Sequence, residues 1–314
     1  MKYLNGMSNY LKEGFAIPEF AEYAKQCLTK LEQKLNAPCY AVDGEQACLD
    51  RLHEHIKADP YRWFESRTNL VSEHYEKRKA KPLTRLSDPL LYECVQDACT
   101  ALRISNPSAF TFSYDKKLRN DTTAIGHTDT MWIFISEQLR ENELLSDLEL
   151  CFVIGCALAQ AAAHHADVAE TQALTPEQYR VQALTADRAG FLAVLWRTAR
   201  KYPSLSADEL VHKACDVSAQ VMRKIDLYML KKDRLVTPQA LQQMMEKTPV
   251  HEKHARKNDL LPTVWERTEA LRQFAVSIHF IRCVYTLWGE SHLIVRSYNG
   301  TGLLQKNISN SVLE

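Results

Sequence analysis

Apolar residues recur at helical spacing along most of this chain, and this pattern constrains the fold more than any other feature. Residues 18–35 and 44–56 each place apolar side chains at intervals of three and four. Helix-start signals, Ser87-Asp88-Pro89 and Thr175-Pro176, precede further periodic segments. Only nine glycines interrupt the 314 residues. The sequence therefore predicts a mainly helical protein.

Two short runs between the helical segments have strand character. FTFSY at residues 110–114 alternates apolar and polar side chains, and MWIFI at residues 131–135 is a compact apolar run. The connection between them contains TTAIG, residues 122–126, which would add an edge strand. The expected fold class is mainly α with a small β-sheet (α+β).

The periodic segments also suggest an organisation of the chain. Residues 1–80 are expected to form an added N-terminal helical region, and residues 81–289 the main domain. Long helices are predicted over Asp147–Ala166, capped by Ser146, and over Leu261–Trp288. Residues 290–314 are polar and are expected to be a flexible, irregular tail, unless Leu293–Val295 docks as a strand.

Charge and cysteine usage exclude several classes of partner. Lys+Arg and Asp+Glu are equal at 39, so no net field attracts nucleic acid or an anionic membrane. The longest apolar run, about Leu150 to Ala163, is shorter than the roughly 20 residues that a membrane helix needs. Nine cysteines without a CxxC pair, and a start without an apolar signal segment, indicate a reducing, cytoplasmic setting.

One apolar helix has the frame of a metal-binding helix. Residues four apart on a helix lie one turn apart on the same face, so two histidines at that spacing can bind one metal ion. A glutamate beside the first histidine can take a proton from metal-bound water. The stretch FVIGCALAQAAAHH, residues 152–165, has this frame, but cysteine, alanine and glutamine stand at those positions.

This stretch resembles a known family. SDLELCFVIGCALAQ, residues 146–160, resembles the active helix of HtpX-like zinc metallopeptidases (metallopeptidase family forty-eight). ALTADRAG, residues 183–190, is similar to the later family helix E-x-x-A-D-R-A-G, whose glutamate is the third zinc ligand. A weaker similarity lies at Leu261-Pro262 with Arg267 and Leu271. The resemblance covers about Pro89–Ala275 and implies a gluzincin-like metallopeptidase domain.

The resemblance also implies which residues would have carried the chemistry. The first histidine falls on Cys156, the catalytic glutamate on Ala157, the second histidine on Gln160 and the third ligand on Ala183. Alanine cannot bind zinc, glutamine is a poor ligand, and no base remains to activate water. These vestigial positions imply a pseudoprotease without a metal, a cofactor or a catalytic residue.

Two further residues of the ADRAG segment lose their former purpose in such a protein. In the family, the aspartate supports the metal site. Asp187 and Arg188 are therefore interpreted as structural remnants, with a pairing or hydrogen bond that holds two helices together.

The expected function is binding of another protein, through the old cleft or the N-terminal helices, as a scaffold, an adaptor in a larger assembly or a client holder. One alternative is an enzyme with altered chemistry, using Cys156 with His127 or His164 as a base, or a metal site rebuilt from Cys156 and His164. Those two residues are about 12 Å apart along a helix axis, which is too far to share one zinc ion. Another alternative is an unrelated helical interaction protein.

Other histidines are interpreted as surface residues. His251 and His254 are three residues apart in a highly charged stretch, and His53 and His55 do not face each other on a helix. The non-catalytic interpretation of the motif helix is that Cys156 is packed in the core and that His164 caps the helix end.

Overall fold

The computed structural model describes residues 35–58, 63, 66, 69–71, 75–76, 78–105, 107–113, 122–127, 130–137, 139, 144–171, 173–230, 237–247 and 262–300. The helices of this part are α1 (Glu45–Ala58), α2 (Pro89–Leu102), α3 (Asp147–Ala162), α4 (His165–Thr171), α5 (Pro176–Lys201), α6 (Ala207–Leu230), α7 (Pro238–Lys247), α8 (Val264–Ala275), α9 (Ile278–Trp288) and α10 (Leu293–Gly300). The strands are β1 (Lys81–Pro82), β2 (Ser108–Phe112), β3 (Thr122–His127) and β4 (Thr130–Ser136). The prediction of a mainly helical protein with a small sheet is confirmed. None of the described helices is both long and apolar enough to cross a membrane.

The four strands form one mixed sheet in the order β1-β2-β4-β3. Strands β2 and β4 are parallel, with Phe110 opposite Phe134, and β3 runs antiparallel to β4, with Ile125 opposite Trp132. The TTAIG segment therefore forms an edge strand, as predicted. Strand β1 was not predicted, because two residues that include a proline are too short to show a periodic pattern.

Both faces of the sheet are covered, which explains the uninterrupted apolar run of β4. Ile133 and Ile135 belong to the main hydrophobic core together with the helices. Trp132 and Phe134 point into a second cluster, where the rings of Phe110 and Phe134 stack with centroids 5.3 Å apart. A strand that is buried on both faces needs apolar side chains at consecutive positions rather than in alternation.

The main core is built around α3 and α5. Ser146 and Glu149 form a capping box at the start of α3, and Thr175 and Gln178 form another at the start of α5. In the middle of α5, the buried Phe191 ring contacts aromatic rings of α8 and α9. Both predicted helix starts are therefore confirmed.

A charge network ties α2, α3 and α5 together. Asp97 of α2 is buried and lies 2.7 Å from the Arg197 guanidinium of α5. Asp147, in the first turn of α3, accepts from Arg197 at 3.4 Å and from Lys201 at 3.0 Å. Because the first turn of α3 pairs with the last turns of α5, the two helices run antiparallel.

Two predicted helices are interrupted. The helix expected over Asp147–Ala166 ends at Ala162, because His164 adopts the left-handed conformation (φ 53°) before α4 begins. The helix expected over Leu261–Trp288 divides between α8 and α9. There the hydroxyl of Ser277 accepts from the backbone N–H of Phe280 at 3.2 Å and starts a new helix. Neither break shows in the apolar periodicity.

The C-terminal segment also differs from its prediction. Residues 293–300 of the expected irregular tail form α10, in which Ile294 and Val295 are fully buried. Three consecutive apolar residues, Leu293 to Val295, in a polar segment do not reveal a helical period, so the sequence did not indicate this helix. Residues 301–314 lie outside the described part.

The described portion of the N-terminal region packs closely on the rest of the chain. Helix α1 agrees with the predicted periodic segment and shares a small apolar cluster with Val168 of α4. Tyr40, which precedes α1, is buried in the main core. The predicted periodic segment over residues 18–35 lies outside the described part except for its last residue. The boundary between residues 80 and 81 stays a prediction.

Candidate functional site

Helices α3 and α5 approach each other closely at two glycines. A Cβ atom added to Gly155 would lie 2.9 Å from the Cβ of Ala193 and 3.1 Å from the carbonyl oxygen of Ala189. A Cβ atom added to Gly190 would lie 2.7 Å from the sulfur of Cys156. Glycine is therefore needed at both positions, which belong to the FVIG and ADRAG segments.

Of the four positions that the resemblance singles out, Cys156 lies at this contact, which we call the α3–α5 seam (residues 155–160 of α3 and 183–190 of α5). Gln160 is one turn beyond Cys156 on the same face of α3, and Ala183 is two turns before Gly190 on the same face of α5. Because the helices are antiparallel and Cys156 abuts Gly190, the two rows of residues run side by side.

The four positions that the resemblance assigns to the zinc ligands and the catalytic glutamate differ in their exposure to solvent. Ala157 is buried, Cys156 and Ala183 are half-buried, and Gln160 is exposed. Burial and, next, the nearby Asp187 carboxylate raise the pKa of the Cys156 thiol well above its ordinary value. At neutral pH this sulfur is therefore a protonated thiol.

This set of side chains does not fit a zinc ion. It offers one protonated thiol, one exposed amide and two methyl groups, whereas a zinc site needs three or four deprotonated sulfur, imidazole or carboxylate donors. Within the described ranges, no three His, Cys, Asp or Glu side chains are grouped in a way that could hold a metal ion.

Asp187 joins the seam to α8. Its two carboxylate oxygens accept from the Nε and Nη2 of Arg267 at 2.8 and 2.5 Å, a bidentate pair in which the Asp187 side chain is 1% exposed. Burial alone would lower the pKa of Arg267, but the Asp187 carboxylate outweighs it and raises that pKa. The pair links two helices, which is the structural role that the sequence analysis expected for Asp187.

Arg188 faces another direction from Asp187. Its Nη1 donates to the carbonyl oxygens of Tyr40 and Ala41 at 3.5 and 3.0 Å, and its guanidinium lies over the Phe274 ring at 4.5 Å. Arg188 therefore fastens the segment before α1 to α5 and α8.

A buried polar cluster that the sequence analysis missed lies at the end of the seam. Glu45 is fully buried at the start of α1. Its Oε1 is 2.9 Å from Nε2 of His165, and its Oε2 accepts from the Thr185 hydroxyl at 2.9 Å. The backbone N–H of Val42 donates to the same hydroxyl at 3.1 Å. These bonds anchor α1 over α5 within one turn of Ala183.

No local signal identifies this cluster, because its members are 120 and 140 residues apart. An acidic residue in the first turn of a helix is common and is usually explained by the helix dipole. Only the tertiary structure gives Glu45 two buried partners.

The remaining histidines have varied positions. His164 stands at the turn after α3, as expected for the helix end, and its Nδ1 is 3.0 Å from Oδ2 of Asp167. His53 is buried, so its interpretation as a surface residue was wrong, whereas His55 is exposed. The side chain of His127 and the whole of residues 250–261 lie outside the described part.

Comparisons were made with protein-family models, with curated protein sequences and with solved structures, and none of the three found a match for this chain.

Proposed function

We propose that this protein is a catalytically inactive, metallopeptidase-like protein that acts by binding other proteins. It would serve as a scaffold, as an adaptor in a larger assembly or as a holder of clients. The observation that carries the proposal is the Asp187–Arg267 pair beside Cys156. Three segments that resemble the family lie in contact. Cys156 of the FVIG helix (α3) abuts Gly190 of the ADRAG helix (α5), and Asp187 of α5 pairs with Arg267 of the weaker third similarity.

The chemistry of the seam supports the inactive part of the proposal. A metallopeptidase needs a carboxylate next to its first ligand, and position 157 holds a buried methyl group instead. The close packing at Gly155 and Gly190 persists without that chemistry. Close helix packing without reactive groups suits a protein that uses its shape rather than its reactivity.

A zinc assay tests the inactive part directly. After purification in metal-replete buffer, we expect less than about 0.1 zinc per chain by elemental mass spectrometry and no cleavage of a peptide library, because the donor set is incomplete. Zinc at one per chain that is lost in Cys156→Ala would contradict the proposal.

Restoring the missing ligands tests the ancestry. A variant with Cys156→His, Ala157→Glu, Gln160→His and Ala183→Glu is expected to bind one zinc per chain. The matched control carries Leu184→Glu in place of Ala183→Glu, which turns the carboxylate about 100° away around α5. With folding checked by circular dichroism, equal zinc binding by the two folded variants would remove the basis for a metallopeptidase ancestry and favour an unrelated helical protein.

Affinity purification from native extract tests the binding part. We expect at least one protein to co-purify at a fixed ratio with the chain and to co-elute with it in size-exclusion chromatography. Elution of the chain by itself under these conditions would count against a scaffold or adaptor.

The alternative of an enzyme that uses Cys156 as a nucleophile makes a different prediction. Because only the thiolate reacts, and its raised pKa keeps Cys156 protonated, we expect iodoacetamide at pH 7 to label Cys156 at least about tenfold more slowly than Cys39. Mass spectrometry of the digested protein gives both rates. Labelling of Cys156 as fast as that of Cys39 would support the enzyme instead.

A further inference from the structure

Two free cysteines from opposite ends of the chain lie in contact. The sulfurs of Cys39 and Cys283 are 3.5 Å apart, although 244 residues separate them in the sequence. Cys39 belongs to the segment before α1 and is partly exposed, whereas Cys283 lies in α9 and is buried. The fold thus holds an accessible thiol directly against a protected one.

We propose that Cys39 and Cys283 are a redox site that a peroxide converts into a reversible disulfide. The Cys39 thiolate attacks one peroxide oxygen and breaks the O–O bond, which gives a sulfenic acid and releases the other oxygen as water after protonation. The Cys283 sulfur then attacks the Cys39 sulfur, the S–O bond breaks, and a second water leaves. Two thiols and one hydrogen peroxide give one disulfide and two waters. Two glutathione thiols then reduce the disulfide by thiol–disulfide exchange, which restores both cysteine thiols and forms one glutathione disulfide.

The surroundings assign different roles to the two sulfurs. The hydrogen bond from Cys283 lowers the pKa of the Cys39 thiol against the opposing effect of burial, and the Arg103 guanidinium adds to the lowering. The same hydrogen bond and burial raise the pKa of Cys283, while the charge of Arg188 opposes them. Cys39 is therefore the thiol that reacts first and Cys283 the one that resolves the sulfenic acid.

A second close pair provides an internal comparison. Cys94 and Cys151 are both fully buried, and the Cys151 sulfur lies 3.9 Å from the carbonyl oxygen of Cys94. Burial raises the pKa of the Cys151 thiol well above its ordinary value. Both cysteines of this pair are shielded from peroxide, so the pair should stay reduced where Cys39 and Cys283 react.

The disulfide would act on the segment that flanks the seam. The carbonyl groups of Tyr40 and Ala41, directly after Cys39, accept the hydrogen bonds of Arg188. A covalent bond from Cys39 to Cys283 would tie this segment to α9 and close a loop across most of the chain. Constraining so long a loop should stabilise the folded protein. This stabilisation is expected whether or not the proposed function is correct.

Peroxide treatment of the folded full-length chain tests the proposal. Oxidation with one equivalent of hydrogen peroxide, a quench with N-ethylmaleimide and digestion without reductant should give a Cys39–Cys283 cross-linked peptide. A thiol assay in denaturant should fall by two of the nine thiols and recover after dithiothreitol. The midpoint of thermal unfolding should rise by about 5 °C on oxidation.

Variants separate the two steps. In Cys283→Ser, the sulfenic acid on Cys39 cannot be resolved, so dimedone should label Cys39 while no intramolecular cross-link forms. Cys215→Ser, at a half-buried cysteine, should leave the cross-link unchanged. The proposal is overturned if wild-type Cys39 and Cys283 stay reduced, or if peroxide links other cysteines instead. Peptide mapping of the wild type decides this even if a variant does not fold.

Discussion

Replacing Asp187 by alanine is expected to lower the free energy of unfolding by about 3–5 kcal/mol, because it leaves the Arg267 guanidinium partly buried without its partner. The carboxylate is almost fully buried, and both of its oxygens are bonded to Arg267. Denaturation with guanidinium chloride, followed by circular dichroism, measures the loss.

Two further variants show whether the ion pair itself causes this loss. Asp208→Ala, at an exposed position in the first turn of α6, should change stability by no more than about 0.5 kcal/mol. Combining Asp187→Leu with Arg267→Met removes both charges and should recover most of the stability. A loss below about 1 kcal/mol in Asp187→Ala would show that this pair does not hold α5 to α8.

Gly155→Val is expected to cost about 3 kcal/mol or more of unfolding free energy. Its Cβ would lie 2.9 Å from the Cβ of Ala193 and 3.1 Å from a backbone oxygen, before the two valine methyls are added. Since backbone atoms of α5 line the contact, a rotation of side chains cannot relieve the clash. The midpoint of denaturant unfolding should fall accordingly.

Gly155→Ala should cost less than Gly155→Val, because alanine favours the helix by about 1 kcal/mol over glycine and offsets part of the strain. Ala166→Val, at an exposed position of α4, measures the helix propensity of valine without a clash and should cost no more than about 0.7 kcal/mol. If Gly155→Val were as stable as the wild type, the helices of the seam could not approach as closely as described.

The Asp187→Ala and Gly155→Val variants bear on the proposed function as well as on stability. The Asp187–Arg267 pair joins α5 to α8, and the Gly155–Gly190 contact holds α3 against α5 beside Cys156. Under the proposed metallopeptidase ancestry, both features would accompany the FVIG and ADRAG segments as parts of one inherited framework. A helical protein of other origin would need both for packing alone, so the zinc-restoration experiment, and not stability, distinguishes the two origins.

Local patterns were sufficient to predict much of the fold. The cap at Ser146 and the Thr175-Pro176 start place α3 and α5, and the apolar run of β4 predicts the central strand. These signals depend on residues within a few positions of each other, where hydrogen bonds and apolar spacing act directly. The break at His164 and the helix α10 escaped prediction, since burial against distant helices overrides their weak local preference.

By itself, the sequence determined where most of the long helices and the strands β2, β3 and β4 lie, and which reactive groups the motif helix lacks, because both depend on residues close together in the chain. The tertiary structure alone decided the contacts between distant segments. It placed Asp187 against Arg267, enclosed Glu45 between His165 and Thr185, and brought Cys39 to Cys283. Such contacts arise from the packing of whole helices around one core, and no short stretch of sequence contains the geometry of that packing.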